Sequence, residues 1–150
     1  MLDATDKKIL NHLQINAKKT IKELANELNL TTSPIFERIK KLEKKGIIKN
    51  YTTILDSKKI NLGQVVFCNV GIPNYLPKNI IEFEKKIRST PEILACYHIA
   101  GSIDYQLKVY VKDIDTYYVF LQEFSKLSMV KIYSSLVVLK EVKNTTIFNL

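Results

Sequence analysis

The sequence predicts an α+β protein built in two parts. An N-terminal helix-turn-helix domain of winged-helix type is followed by a C-terminal ferredoxin-like βαββαβ domain. Three observations lead there. Residues 1–50 place apolar side chains at helical spacing in three short runs divided by tight polar breaks. Residues 64–150 run strand, helix, strand, strand, helix, strand. The positive charge is uneven: residues 1–60 hold 13 Lys/Arg against 7 Asp/Glu, whereas residues 61–150 hold 10 against 8. The first part therefore carries most of the net +8, the mark of a segment that meets a polyanion.

In the first helix Ile9, Leu10 and Leu13 share a face, with Asp3 or Thr5 as its cap and Asp6 at its positive end. Thr20-Ile21-Lys22-Glu23 is a T-x-x-E capping box opening a second helix with Ile21, Leu24, Ala25 and Leu28 inward. After Asn29–Ser33 a third helix begins, capped by Thr31 or Ser33 and tolerant of Pro34 in its first turn. Ile35, Ile39 and Leu42 form its apolar face, and Gly46 ends it. At about 100° per residue, Ser33, Glu37, Lys40, Lys41 and Lys44 fall on the opposite side. A solvated lysine-rich face and a polyanion-binding face both fit that pattern; a position after a tight turn, in the charge-rich half, favours the second.

Ile48–Asp56 is rich in β-branched residues and reads as a strand, so that residues 51–63 form a linker strand between domains 1–50 and 64–150. Further elements follow in order. Gln64–Ile72 is a strand stopped by Pro73, and Pro77–Ser89 a helix with Ile80, Phe83 and Ile87 inward. Glu92–Ala100 is a second strand, and Gly101-Ser102-Ile103 turns the chain on a glycine expected at positive φ. Asp104–Val111 alternates, with Tyr105, Leu107, Val109 and Val111 on one face. Asp113–Leu127 is a helix with Ile114, Tyr117, Leu121 and Phe124 inward, and Lys131–Lys143 a final strand. The sheet face away from the helices, where apolar, calls for a partner, and a second copy of the chain supplies one.

Several functions are disfavoured by what the chain contains. Cys68 and Cys96 lie far apart in strand-like segments, and His12 and His98 have no metal-ligand spacing, so no metal or cofactor is expected. There is no Gly-rich phosphate loop, no Ser/His/Asp set and no carboxylate dyad, so no enzyme is expected either. No apolar run approaches the ~18 residues of a membrane span and no secretion signal opens the sequence, which leaves a cytoplasmic location as the expectation.

Specific stretches then carry a resemblance. LDATDKKILNHLQINA and TIKELANELNLT resemble the opening helices of the Lrp/AsnC family of transcription regulators. RIKKLEKKGIIKNY, Arg38–Tyr51, resembles the family pattern R-(V/I)-x-x-L-E-x-x-G-(V/I)-I-x-x-Y, and AGSIDYQLKV, Ala100–Val109, resembles G-x-x-D-(Y/L)-x-L-x-V. The resemblance spans all 150 residues. It implies a third helix in the DNA major groove, a linker strand that pairs with that of a second chain, and homodimers through the sheets that build tetramers or octamers. It also implies an amino acid or related small effector in a cleft between dimers near the Gly101–Tyr105 turn. Ala100 and Ile103 depart from the Thr and the aromatic or polar residue common there, so an effector-free, architectural DNA-binding protein is the alternative. A tetrapyrrole decarboxylase of similar fold is remote, because the second domain holds only Arg88 and His98 where a polyanionic porphyrin needs clustered Arg and His.

The candidate DNA-binding residues are Thr32, Ser33, Glu37, Arg38, Lys40, Lys41 and Lys44. The lysines suit phosphates and base edges, while Thr32, Ser33 and Glu37 lie at the end that reads bases. Glu37 either accepts from a cytosine amino group or tethers Lys41. Arg38 either contacts phosphate or bridges to an acidic residue of the first two helices. The candidate effector residues are Gly101, Ser102, Asp104, Tyr105 and Ser134. Asp104 either holds an effector's ammonium, caps the turn or pairs with a neighbouring chain's lysine; Ser134 and Ser135 offer hydroxyls.

Overall fold

A computed structural model describes residues 1–150, which divide into two compact units. The first comprises Met1–Ile54 with Val142–Leu150, the second Leu55–Glu141. The first boundary falls near the expected linker; the return of the C-terminal segment to the first unit was not expected.

The first unit holds α1 (Ala4–Ile15), α2 (Ile21–Leu28) and α3 (Thr32–Lys44). Asp3, not Thr5, caps α1, in a reciprocal box with Asp6. Thr20 and Glu23 form the second box. Asn29 at φ 52° closes α2 in the left-handed conformation that Asn tolerates, and the chain turns at once into α3. Thr31 is the cap residue of α3, but its side chain makes no capping bond. Gly46 at φ +67° ends that helix, a geometry costly for other residues. The core is Ile9, Leu10, Leu24, Ala25, Ile35 and Leu42, with Leu13, Ile21, Leu28 and Ile39 packed against it. The three apolar faces read from the sequence thus converge.

The C-terminal segment is held to α1. The side-chain amide of Gln14 accepts from Phe148 N–H at 2.7 Å and donates to Phe148 C=O at 3.1 Å. Thr146, Phe148 and Leu150 line a 560 Å³ groove with Leu10, Leu13 and Tyr51.

The second unit contains β1 (Gln64–Gly71), α4 (Pro77–Arg88), β2 (Ile93–His98), β3 (Tyr105–Val111), α5 (Ile114–Ser125) and β4 (Lys131–Val137). The four strands pair antiparallel in the order β2-β3-β1-β4. Val66, Cys68 and Val70 of β1 and Leu107, Val109 and Val111 of β3 form one face of a core closed by Phe83 and Ile87 of α4 and Tyr117, Phe120 and Phe124 of α5. This is the ferredoxin-like arrangement expected.

Three expectations need correction. Residues 48–56 form no strand; a strand needs a ladder, and the chain offers them no neighbour. A short 3₁₀ turn at Ser57–Ile60 follows instead, capped by Asp56. The last strand stops at Val137 rather than Lys143, because β1 begins at Gln64 and the final bond to it is Val138 N–H to Val65 C=O. On α5 the buried stripe is Tyr117, Phe120 and Phe124, with Ile114 exposed. Phe120 displaces it by stacking on Phe124 (5.3 Å) and Tyr117 (5.8 Å).

Candidate nucleic-acid interface and effector turn

The exposed side of α3 carries Thr32, Ser33, Phe36, Glu37, Lys40, Lys41 and Lys44, all open to solvent. None of the ion pairs of this unit engages Glu37, Lys40, Lys41 or Lys44. Glu37 is therefore not tethered to Lys41, and three ammonium groups face outward uncompensated. Thr32, Ser33, Phe36 and Glu37 share a shallow depression with Thr20 and Lys22 at the start of α2. That is the end of the helix from which a recognition helix reaches base edges.

Arg38 is engaged within the domain. Its Nη1 donates to Asp3 Oδ2 at 2.5 Å and Asp6 Oδ1 at 2.6 Å. It ties α3 to the capping box of α1, which is the internal bridge of the two alternatives. The two carboxylates also raise the Arg38 pKa, Asp3 most. Asp3 is held below the usual carboxylate range, first by the Asp6 N–H and then by Arg38. A second tie follows α3: Tyr51 Oη donates to Glu43 Oε1 at 2.8 Å, and burial with that carboxylate lifts the phenol to about 12.

Phe36 is the residue that the sequence reading passed over. It is 39% exposed and lies beneath the Lys40 ammonium, 4.3 Å from the ring centroid. The signal was present in the spacing: Phe36 stands three residues from Ser33 and four from Lys40, beside the polar side of α3.

In the second unit the effector candidates separate. Gly101 and Ser102 are exposed in the turn. Gly101 is not at positive φ and an added Cβ would meet nothing, so the expectation of a left-handed glycine is overturned. Asp104 Oδ2 accepts from Ile72 N–H at 2.7 Å, and its own amide donates to Val70 C=O at 3.2 Å. The carboxylate thus pins the start of β3 to the end of β1, which is the turn-capping role. Tyr105 is buried on the helix side of the sheet. Ser134 lies on the opposite face, where its Oγ accepts from Asn69, which in turn accepts from Gln106. Ser135 faces the helices and bonds Tyr117 at 2.7 Å. Strand alternation separates Tyr105 from Ser134, so one chain does not gather the five candidates into one pocket.

Comparison with known proteins agrees with this division. Residues 2–49 match the family model for winged helix-turn-helix DNA-binding, and residues 65–148 that for the Lrp/AsnC ligand binding domain. The glutamate uptake regulatory protein of Zymomonas mobilis is 34% identical over 99% of this chain and 91% of its own. The leucine-responsive regulatory protein of Haemophilus influenzae is 34% identical over 96% of this chain and 87% of its own. A transcriptional regulator of Neisseria meningitidis, solved as a complex with L-methionine, superposes with a TM-score of 0.90 at 36% identity, covering 97% of this chain and 95% of that one. A winged helix-turn-helix with an exposed cationic face, joined to a ferredoxin-like domain that matches the family's ligand-binding model, places this chain in the Lrp/AsnC family of transcription regulators.

Proposed function

We propose that the protein regulates transcription as a homodimer or higher oligomer whose hold on DNA responds to an amino acid or similar small molecule near the turn at 101–104. The observation that carries the DNA-binding half is the α3 face, where Lys40, Lys41 and Lys44 lack acidic partners beside Thr32, Ser33, Phe36 and Glu37. The lysines neutralise phosphates, and the N-terminal side chains reach base edges. Two such helices in a dimer read half-sites about 10 base pairs apart.

The outward sheet face supports self-association. It presents Phe67, Tyr97 and Leu136 around the polar ladder Gln106–Asn69–Ser134. Tyr97 and Leu136 are more than half exposed in the single chain. The L-methionine held by the Neisseria regulator supports an amino acid as the ligand class. Oligomer assembly also brings turns of several chains together, which supplies what one chain lacks.

Two measurements test the reading. Affinity for a palindromic operator should fall with salt at a log–log slope of about −0.9 per phosphate contacted. Lys40→Ala with Lys44→Ala should reduce that slope by about 2 in magnitude. An unchanged slope would remove α3 from the interface. Operator affinity and particle mass should also change with one or more of the twenty amino acids; a response to none would leave a DNA-binding protein without an amino-acid effector.

A further inference from the structure

The chain passes between its two units twice, once between Ile54 and Leu55 and again between Glu141 and Val142. A body tethered at two points swivels less freely than one tethered at a single point, and here the two tethers differ in length and in hold.

The first tether is loose. Residues 52–63 are exposed except at Ser57. The hydrogen bonds of this stretch stay inside it: Asp56 caps the 3₁₀ turn, and Leu62 N–H returns to Ser57 C=O at 2.8 Å. Its hydrogen-bonded ends are Tyr51, held by Glu43, and Gln64, where β1 begins. Even with Ser57–Ile60 kept helical, that length of chain reaches roughly 40 Å.

The second tether is short and fastened at both ends. The last ladder bond of the sheet runs from Val138 N–H to Val65 C=O, and beyond it Glu141 Oε1 meets Lys108 Nζ at 3.5 Å. Lys108 is only 18% exposed and its ammonium lies 5.1 Å over the Tyr110 ring, so this clasp is partly shielded. At the other end Gln14 of α1 holds both backbone groups of Phe148. Residues 142–147 alone lie between the two fastenings, and that strap spans at most about 25 Å. Opening the Lys108 clasp moves the fixed end back to Val138 and lengthens the reach to about 35 Å. The pull on α1 passes to α3 through the bonds of Asp3 and Asp6 to Arg38.

We propose that this C-terminal strap determines which half-site spacing the dimer accepts, with Gln14 and Glu141 as its positioning residues. Neither side chain touches DNA; both limit where α3 can be carried. Moving one half-site by half a helical turn shifts it about 17 Å along the duplex and to the opposite side. A linker of roughly 40 Å can follow that shift, whereas it uses most of the reach of a strap of about 25 Å. Half-sites within reach are met at high effective concentration and those beyond it at low. Each fastening is a modest contact open to solvent on one side, so the strap restrains by joining the two. The inference rests on the dimeric DNA-binding reading.

The test measures the affinity of the full chain for palindromic operators whose half-sites are moved apart base pair by base pair through one helical turn. The wild type should lose at least about tenfold at half a turn from the best spacing. Inserting Gly-Ser-Gly-Ser between Asn144 and Thr145 adds about 14 Å and removes no contact. That chain should bind the best spacing within about twofold of the wild type and lose most of the discrimination. Gln14→Ala, which opens only the fastening on α1, should relax the profile in the same direction, so the test survives an insertion that fails to fold. A profile as steep as the wild type's in every folded variant overturns the proposal. So does a wild type indifferent to spacing on operators that require both half-sites. Equal affinity for one half-site and for two would instead remove the dimeric reading, and this inference with it.

Discussion

Arg38 and Asp6 meet at 2.6 Å, guanidinium to carboxylate, and the bond joins the DNA-facing helix to the first helix of the domain. Asp6 is only 13% exposed, so the tie is partly shielded from solvent. Arg38→Ala should lower the thermal midpoint of the protein and weaken operator binding only through the fraction unfolded. The salt slope of binding should stay as in the wild type, because no phosphate contact is lost. A slope reduced by about 0.9 with unchanged stability would return Arg38 to the DNA interface.

Phe36 offers an apolar surface where most of its neighbours are polar or charged. The thymine methyl is the one apolar group on a major-groove base edge. Replacing operator thymines by deoxyuridine should weaken the wild type by about fourfold at one position, the worth of one buried methyl group at about 0.8 kcal/mol. Phe36→Ala should bind both operators alike. If the wild type is indifferent to every such replacement, Phe36 contacts no thymine methyl.

The caps predict how the protein meets acid. Asp3 and Glu23 both have lowered pKa values in the folded chain, Glu23 first through the Thr20 N–H and then the Thr20 hydroxyl. Stability from a lowered carboxylate is present above its unfolded value of about 4 and is lost as pH falls through the lower folded value. The thermal midpoint should therefore hold down to about pH 5 and fall below about pH 4. Asp3→Asn retains a capping acceptor without a titrating charge and should flatten part of that fall. An identical acid profile in the variant would assign the loss to other groups.

Much of the fold was legible because local chemistry and long-range packing agree. Thr20 and Glu23 announce the start of α2 by spacing alone, and Tyr105, Leu107, Val109 and Val111 announce a face of β3 by alternation. The failures arise where the deciding partner is distant in sequence. Residues 48–56 have the composition of a strand, but composition cannot supply a ladder. Phe120 displaces Ile114 because of rings that stack on it, which a helical wheel does not weigh. The candidate DNA-facing residues fall together because they share one helix. The effector residues could not be grouped, because Ser134 and Tyr105 reach opposite faces through a register that only the paired strands reveal.

The C-terminal segment was likewise invisible, since nothing in 142–150 names Gln14 as its partner. Gln14 makes both bonds to Phe148 in a setting open to solvent. Gln14→Ala should cost the first unit about 1 kcal/mol, the low end for two hydrogen bonds in water. Removing residues 145–150 should cost more, because the apolar groove is then uncovered as well. Both losses should appear as faster amide exchange in α1. Exchange in α1 unaffected by either change would mean that the segment does not hold that helix in solution.

Asp104 decides whether the turn at 101–104 is more than a corner of the sheet. Its Oδ2 is engaged by Ile72 N–H, so removing the side chain strands a partly buried backbone donor. Asp104→Ala should for that reason cost about 1–2 kcal/mol of stability, and a lost ligand response in that variant would be ambiguous. Asp104→Asn is the cleaner change. Its side-chain oxygen can still accept from Ile72, while the charge that would meet an effector's ammonium is gone. Stability and effector-free operator affinity should then stay close to wild type. The amino-acid-dependent change in affinity, a coupling of about 1.4 kcal/mol for a tenfold effect, should shrink or vanish. A full response in Asp104→Asn would show that the carboxylate serves the fold alone, and that the effector is held by other groups of the second domain.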